Sequence, residues 1–119
     1  MAIVMIVDDS WLTRRVLANI LKLDGYQIIE ANGGIQALSL IQQTPPDCML
    51  LDLLMPDMDG YETLKLIKDK GYHFPVIILT ADIQDTAKEK CFQLGAADYI
   101  NKPADEKTIR SLVHRFINS

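Results

Sequence analysis

The sequence has 119 residues with 12 basic and 16 acidic side chains, and its formal net charge at pH 7 is −4. That length predicts one domain, and the acidic balance argues against nucleic acid or an anionic membrane as a direct partner, because both require a basic face. No apolar stretch approaches the roughly 20 residues of a transmembrane helix, and the first segment lacks a basic leader, so we expect a cytoplasmic domain without membrane insertion.

The first half of the chain alternates between apolar runs and amphipathic stretches. Ala2–Val7 predicts a first strand, and Ser10 is the predicted N-cap of a first helix. The apolar face of that helix comprises Leu12, Val16, Ile20 and Leu23. Tyr26–Ile29 predicts a second strand, and the second helix follows the glycines at 33 and 34 and ends before the prolines at 45 and 46. Its apolar face comprises Ile35, Leu38 and Ile41.

The second half repeats this alternation. Cys48–Leu51 predicts a third strand, and the third helix follows Gly60, stops at Gly71 and turns three residues inward: Tyr61, Leu64 and Ile67. Val76–Leu79 predicts a fourth strand, and the next helix ends at Gly95 after a stripe of Ile83, Ala87, Cys91 and Leu94. Ala97–Ile100 predicts a fifth strand, and the last helix runs to the chain end with an apolar face of Ile109, Leu112, Val113, Phe116 and Ile117.

Five strand–helix units in strict alternation predict an α/β fold of the (βα)5 type, a doubly wound parallel five-stranded sheet with helices on both faces. The strand runs are nearly continuous in their apolar character, as is typical of strands covered on both sides. No linker or repeat interrupts the pattern, so residues 1–119 are predicted to form one domain. Cys48 and Cys91 stand alone in apolar segments, which predicts two buried thiols in a reducing compartment.

Polar side chains follow four of the predicted strands, at the edge of the sheet where open α/β proteins bind their ligands. They are Asp8 and Asp9 after the first strand, Asp52 after the third, Thr80 after the fourth and Lys102 after the fifth. Each residue alone has an ordinary alternative, because an aspartate or Thr80 can cap a helix and a lysine can be a solvated surface charge. Their convergence at one rim favours a functional site.

Three carboxylates at one rim need compensation, because two of them about 4 Å apart repel by roughly 4 kcal/mol at an effective dielectric constant near 20. A divalent cation that prefers oxygen ligands provides it, and we expect Mg²⁺, which requires few protein ligands. The three aspartates and Lys102 sum to −2, which one Mg²⁺ neutralises, and such a site suits phosphoryl transfer. Motifs of the common nucleotide-binding loops, the metalloproteases and the serine hydrolases do not occur in the sequence.

These residues resemble the receiver domains of two-component response regulators, and the resemblance covers essentially the whole chain. The matching motifs are Asp8-Asp9-Ser10, Asp52-Leu-Leu-Met-Pro-Asp-Met-Asp-Gly60, Thr80-Ala81 and Lys102-Pro103. The resemblance is greatest to the stand-alone chemotaxis-type (CheY-like) regulators, and it implies their flavodoxin-like sheet order, 2-1-3-4-5.

The resemblance implies a phosphoacceptor and a set of metal ligands. Asp52 is the implied phosphoacceptor. Asp9, Asp52 and the backbone carbonyl of Leu54 are the implied direct ligands of Mg²⁺, and Asp8 is expected to act largely through coordinated water.

The resemblance also implies a phosphoryl-binding group and a switch. Thr80, Lys102 and the backbone N–H of Ala81 are expected to hold the phosphoryl group, and Lys102-Pro103 is expected to be a cis peptide. Tyr99 is the implied switch aromatic, which turns inward as Thr80 moves toward the phosphoryl group. An ordinary core aromatic is the alternative for Tyr99.

Three further positions border this site. Leu54 and Asp82 are implied to flank the path of the water that hydrolyses an aspartyl phosphate, and the direction of the Asp82 effect stays open. Trp11 directly follows Ser10, beside the acidic pair, where it either packs on the surface or shields the site. Mg²⁺ is expected to change the fluorescence of this single tryptophan.

The implied function is a phosphorylation-activated switch rather than an enzyme, with only its own phosphotransfer and dephosphorylation as chemistry. A sensor histidine kinase or a phosphotransfer domain is expected to phosphorylate Asp52. The face formed by the fourth helix, fifth strand and fifth helix is then expected to change shape for a downstream protein effector, in a monomer or a phosphorylation-dependent dimer. Two alternatives stay open: a receiver module excised from a larger multidomain regulator such as a transcription factor, and a metal-dependent phosphohydrolase with an aspartyl-phosphate intermediate.

Overall fold

The computed structural model describes residues 1–118, in which five strands alternate with five helices. The elements are β1 (Ile3–Val7), α1 (Trp11–Lys22), β2 (Gln27–Ala31), α2 (Gly34–Gln43), β3 (Cys48–Leu51), α3 (Gly60–Asp69), β4 (Val76–Thr80), α4 (Asp85–Gln93), β5 (Asp98–Asn101) and α5 (Glu106–Ile117). All paired strands are parallel, and their order in the sheet is β2-β1-β3-β4-β5. The predicted (βα)5 architecture and strand order are confirmed.

The core consists of two layers, one on each face of the sheet, because successive residues of a strand point to opposite faces. Met5 and Val7 of β1 join the layer beneath α2, α3 and α4, whereas Val4 and Ile6 join the layer beneath α1 and α5. Every residue of β3 and β4 is buried. This explains why the central strands read as continuous apolar runs.

The buried face of α1 differs from the predicted one. The buried residues of α1 are Leu17, Ala18 and Leu21. Leu12, Val16 and Leu23, for which the spacing predicted burial, are exposed. Helix α1 carries apolar residues on more than one side, so the spacing of its apolar residues does not determine which side is buried.

Arg14 accounts for the orientation that α1 adopts. Its guanidinium lies 2.6 Å from the backbone carbonyl of Asp8 and 3.3 Å from a carboxylate oxygen of Glu30, at the ends of β1 and β2. Residues three, four and seven positions after Arg14 share its helical face and are the buried ones.

Two other predicted faces need correction. Ile35 in the first turn of α2 is exposed rather than buried, whereas Ile41 is buried as predicted and Ala37 is buried as well. Ile83 precedes α4 rather than belonging to it and is 78% exposed, while Ala87 is buried as expected. Ile83 lies in the loop before α4, where helical spacing does not apply, and Ile35 lies in the first turn of α2.

The remaining predicted faces are confirmed, with Leu64, Ile67, Ile109 and Val113 buried and both cysteines free and buried. Strands β2, β4 and β5 end one or two residues later than their predicted runs, and β1, β2 and β5 begin one residue later. Within the described residues, no α-helix combines the length and the hydropathy that a membrane crossing requires.

Candidate functional site

The carboxyl ends of β1 and β3 bring three aspartates together. These strands pair in register, with Val7 opposite Leu51, so the residues that follow each strand emerge side by side. One carboxylate oxygen each from Asp8, Asp9 and Asp52 lies within 4.8 Å of the others. Asp8 and Asp52 are buried, and Asp9 is exposed to solvent. The predicted acidic cluster is confirmed.

Lys102 reaches this cluster from the end of β5. Its ammonium nitrogen lies 2.6 Å from Oδ2 of Asp8 and 3.3 Å from Oδ2 of Asp52. Burial opposes the charge of the ammonium, but the hydrogen bonds and attraction from both carboxylates outweigh it and raise the pKa of Lys102. The backbone N–H of Lys102 donates to the carbonyl of Thr80, and the Lys102–Pro103 peptide is cis, as expected.

The Asp8 carboxylate is held by the start of α1. Its Oδ1 accepts a hydrogen bond of 2.8 Å from the N–H of Ser10, and the hydroxyl of Ser10 accepts one of 3.3 Å from the N–H of Thr13. Ser10 is therefore the N-cap of α1, as predicted, and Asp8 remains available to the cluster. Sequence reasoning missed Arg14, which binds the carbonyl of the same aspartate. Glu30, at the end of β2, was the available signal that a cation lies nearby.

Asp52 is the first residue of the loop between β3 and α3. Its Oδ1 accepts a hydrogen bond of 3.3 Å from the N–H of Leu54, whose side chain is exposed. Gly60 donates its N–H to the carbonyl of Leu53 and approaches so closely that a Cβ there would collide with the carbonyl of Asp52. Only glycine fits at this position, which explains the final residue of the Asp52–Gly60 motif.

This donor set fits a hard divalent cation. Carboxylate oxygens from three residues converge, and Mg²⁺ binds through one or two carboxylates together with water and phosphate oxygens. The charge of the cluster favours the same ligand, because Lys102 compensates only one of three negative charges.

Thr80 and Tyr99 lie on neighbouring strands beside this cluster. Both are buried, and the Thr80 hydroxyl accepts a hydrogen bond of 3.4 Å from the N–H of Asp82. Thr80 therefore does not cap α4, whose N-cap is Gln84. The Tyr99 hydroxyl donates a 2.6 Å hydrogen bond to the carbonyl of Asp82. Burial, with the nearby Asp82 charge, raises the pKa of Tyr99 to about 12, so this hydroxyl stays protonated.

Three more residues border the site. The side-chain amide of Asn101 donates a hydrogen bond of 2.7 Å to the carbonyl of Asp82, a contact that the sequence pattern did not indicate. Ala81, the implied backbone donor, follows β4 directly and is exposed. Trp11 is 59% exposed and lies beneath the guanidinium of Arg15, 5.4 Å from the ring centroid, which places it on the surface.

A family model described as the response regulator receiver domain matches residues 4–114. The chain belongs to the response regulator receiver domain family. Receiver domains bind Mg²⁺ at an acidic pocket, and the cluster of Asp8, Asp9 and Asp52 is the acidic group of this receiver domain.

Relatives and solved structures agree with this family. The receiver domain is 37% identical to Protein PilH of Pseudomonas aeruginosa, with 96% of each chain covered. It is 36% identical to sporulation initiation phosphotransferase F of Bacillus subtilis, covering 96% of this chain and 92% of the relative. The chemotaxis protein CheY4 of Vibrio cholerae matches at 30% identity with a TM-score of 0.91, covering 98% of each chain.

Some relatives are much longer than this receiver domain. It is 32% identical to Histidine kinase 3 of Arabidopsis thaliana but spans 13% of that protein, and it spans 24% of the regulatory protein AtoC of Escherichia coli. Receiver domains of this sequence type therefore occur both as nearly whole proteins and as parts of larger ones.

Proposed function

We propose that this receiver domain is a phosphorylation-activated response regulator domain that accepts a phosphoryl group on Asp52. The phosphoryl group comes from the phosphohistidine of a sensor histidine kinase or a phosphotransfer domain, the partners with which receiver domains interact. One observation carries this assignment: the buried Asp52 carboxylate lies within an acidic cluster and 3.3 Å from the ammonium of Lys102.

The chemistry is a displacement at phosphorus. A carboxylate oxygen of Asp52 forms a bond to the phosphorus atom, and the bond from phosphorus to the histidine nitrogen breaks. The departing nitrogen keeps that electron pair and takes up a proton, while Asp52 becomes an acyl phosphate. Asp9, Asp52 and the Leu54 carbonyl would hold Mg²⁺ directly and Asp8 through coordinated water, and the cation would supply positive charge to the carboxylates and the phosphoryl oxygens.

The protein orients the groups that receive the phosphoryl oxygens. Lys102 is already held at the cluster by two carboxylates and can transfer a charge-assisted hydrogen bond from Asp52 to a phosphoryl oxygen. The Thr80 hydroxyl and the N–H of Ala81 lie at the end of β4, next to β3 in the sheet. These donors recognise charge that develops on the phosphoryl group.

The response reaches the surface through the loop after β4. If the Thr80 hydroxyl turns to the phosphoryl group, it gives up its contact with the N–H of Asp82. The Tyr99 hydroxyl donates to the backbone carbonyl of the same Asp82, so a movement of this residue would also reach β5. Phosphorylation would therefore stabilise one arrangement of this loop and of the α4–β5–α5 face.

The output is a protein effector that binds this α4–β5–α5 face, with the domain as a monomer or a phosphorylation-dependent dimer in the cytoplasm. Its only chemistry would be its own phosphorylation and dephosphorylation.

The alternative of a module within a larger regulator has support from the long relatives that contain such a domain. A phosphohydrolase would require a substrate cavity beside Asp52; a groove of about 660 Å³ along α5 and one of about 230 Å³ between α3, the start of β4 and the turn after α4 are not lined by Asp52.

Intact mass spectrometry tests the proposal. After incubation with Mg²⁺ and a small phosphodonor, the wild type is expected to gain one base-labile phosphoryl group and Asp52→Asn none. Asp47→Asn, a substitution on the opposite edge of the sheet, is the matched control and should be phosphorylated like the wild type. Phosphorylation of Asp52→Asn at the wild-type level would overturn the assignment, and turnover of an external phosphate ester would favour the phosphohydrolase.

A further inference from the structure

The loop between β3 and α3 is attached to the start of α2 by Asp57. Oδ2 of Asp57 accepts a hydrogen bond of 3.3 Å from the backbone N–H of Ile35. The same carboxylate lies against the backbone of Gly33, where a Cβ would be 2.5 Å and 2.6 Å from its two oxygens. The backbone of Gly33 is fully extended, which any residue can adopt. The close approach of Asp57 is therefore the reason for glycine at this position.

The Asp57 carboxylate supplies an acceptor that the N-cap residue of α2 lacks, while Gln36 within the helix accepts the N–H of Asn32 at 2.7 Å. The N-cap residue of α2 is Gly33, which offers no side-chain acceptor, and no acidic residue lies in its first turn. The unpaired N–H groups at the start of a helix favour a negatively charged acceptor. Burial opposes ionisation of Asp57, but backbone N–H groups of Met58, Ile35 and Gly34 outweigh it and lower its pKa.

The same loop carries residues of the acidic site. Leu54, which follows Asp52 by two positions, donates its N–H to the Asp52 carboxylate. At the far end, the N–H of Gly60 bonds to the carbonyl of Leu53, and Asp59 caps α3. These bonds close the loop on itself and on its own helix. Asp57 is the loop residue whose side chain ties it to a different helix.

A second contact joins the same two units. A Cβ on Gly34 would collide with the hydroxyl of Thr63 in α3 and lie 3.1 Å from the Met58 side chain. Two consecutive glycines therefore allow the start of α2 to approach both the loop and the helix that follows it. The 52–60 loop therefore packs against the start of α2 at Met58.

We propose that Asp57 is a positioning residue for the metal centre: its bond to the start of α2 fixes the 52–60 loop, and with it the Asp52 carboxylate and the Leu54 carbonyl. This inference rests on the proposed function. Asp57 is not among the proposed ligands of the metal or of the phosphoryl group. It acts as outer partners of metal ligands do, by restricting the orientation of the groups that bind.

Titration of the full chain with Mg²⁺, followed by amide chemical shifts in NMR spectra, tests this role. Asp57→Ala is expected to weaken Mg²⁺ affinity about tenfold. Asp57→Asn keeps an acceptor oxygen and is expected to stay within about threefold of the wild type. The matched control is Asp47→Ala, which removes a carboxylate that accepts the N–H of Ile3 at 2.7 Å, far from the cluster. Its Mg²⁺ affinity should equal that of the wild type.

A reciprocal substitution separates this contact from a general loss of structure. Gly33→Ala places a methyl group where the Asp57 carboxylate lies, so it should also weaken Mg²⁺ binding about tenfold. In the Asp57→Ala background the collision partner is gone, and Gly33→Ala should cost no further affinity. Additive losses, or wild-type affinity in Asp57→Ala, would overturn the positioning role. A wild type that does not bind Mg²⁺ would overturn the proposed function as well.

Discussion

The Tyr99 hydroxyl donates a 2.6 Å hydrogen bond to the backbone carbonyl of Asp82, which joins β5 to the loop after β4. The amide of Asn101 donates to the same carbonyl oxygen at 2.7 Å. One carbonyl thus accepts two side-chain donors from the same strand. Asp82 is therefore the residue at which β5 side chains hold the loop that carries the proposed response.

This shared acceptor predicts coupling between the two donors. Tyr99→Phe keeps the ring in the core and should cost about 1 kcal/mol of unfolding free energy, the usual net value of one hydrogen bond. Asn101→Ala should cost less because Asn101 is exposed. The double variant should lose more than the sum, since the carbonyl then has neither side-chain donor. Urea denaturation measures all three.

Tyr72→Phe, which likewise removes only a phenolic hydroxyl, is the control; the Tyr72 ring packs near Phe74 with centroids 6.0 Å apart. It should leave stability nearly unchanged. Equal losses in Tyr72→Phe and Tyr99→Phe would contradict a specific role for the bond to Asp82.

The second prediction concerns the charge balance of the acidic cluster. Lys102→Met leaves Asp8 and Asp52 without their cation, and it should lower unfolding free energy by about 1–3 kcal/mol in the absence of divalent metal. Mg²⁺ should restore much of this loss, so the stabilisation by Mg²⁺ should be larger in the variant than in the wild type. Denaturation with and without Mg²⁺ gives both numbers.

Lys65→Met, on the exposed surface of α3, is the matched control for removing one lysine charge. It should change neither the stability nor the response to Mg²⁺ appreciably. If Lys102→Met is as stable as this control without metal, the two carboxylates do not depend on the ammonium.

The third prediction uses Trp11 as a reporter. The Asp8 carboxylate accepts a hydrogen bond from the N–H of Ser10, the residue directly before Trp11. A cation that binds at Asp8 should therefore also alter the start of α1. Saturating Mg²⁺ should change the emission of Trp11, while NaCl at matched ionic strength should not. Asp52→Asn should weaken this response. An unchanged spectrum under conditions where NMR detects bound Mg²⁺ would show that Trp11 does not sense the cluster.

The position of the acidic cluster could be predicted because topology alone determines it. In a parallel sheet the residues after neighbouring strands meet at one edge, so Asp8, Asp9 and Asp52 had to converge once the alternation of strands and helices was recognised. Lys102 followed from the same rule.

The supporting contacts could not be predicted in this way. Asn101 and Asp57 bond to backbone groups about 20 positions away, and no local pattern specifies such partners. The glycine at 33 signals a tight approach but does not say which side chain approaches. The buried face of α1 was likewise ambiguous, because its choice depends on where Arg14 is anchored.

The corrected orientation of α1 yields the fourth prediction. Leu21→Ala removes a fully buried side chain and should cost about 2–5 kcal/mol of unfolding free energy, whereas Leu12→Ala, at a 65% exposed position, should change it by about 0.5 kcal/mol or less. Thermal or urea unfolding of the two variants distinguishes the faces. A loss in Leu12→Ala as large as that in Leu21→Ala would contradict the observed orientation of α1.

The last prediction concerns acid stability and the bridge between Asp24 and Arg110. The Arg110 guanidinium lies 2.6 Å and 3.0 Å from the two carboxylate oxygens of Asp24 and joins α5 to the turn after α1. Its hydrogen bond, opposed by partial burial, lowers the pKa of Asp24 below the ordinary value of 3.8.

A carboxyl group with a lowered pKa in the folded state stabilises fully above its unfolded pKa and loses that contribution as pH falls through its folded pKa. Wild type should therefore be more stable than Asp24→Asn at neutral pH, and the difference should disappear as pH falls below 3.8 and through the lowered pKa of Asp24. Urea midpoints across this range measure the difference. Asp69→Asn, an exposed aspartate at the end of α3, should give the wild-type profile. A difference between wild type and Asp24→Asn that persists undiminished in acid would show that the charge of Asp24 is not its source.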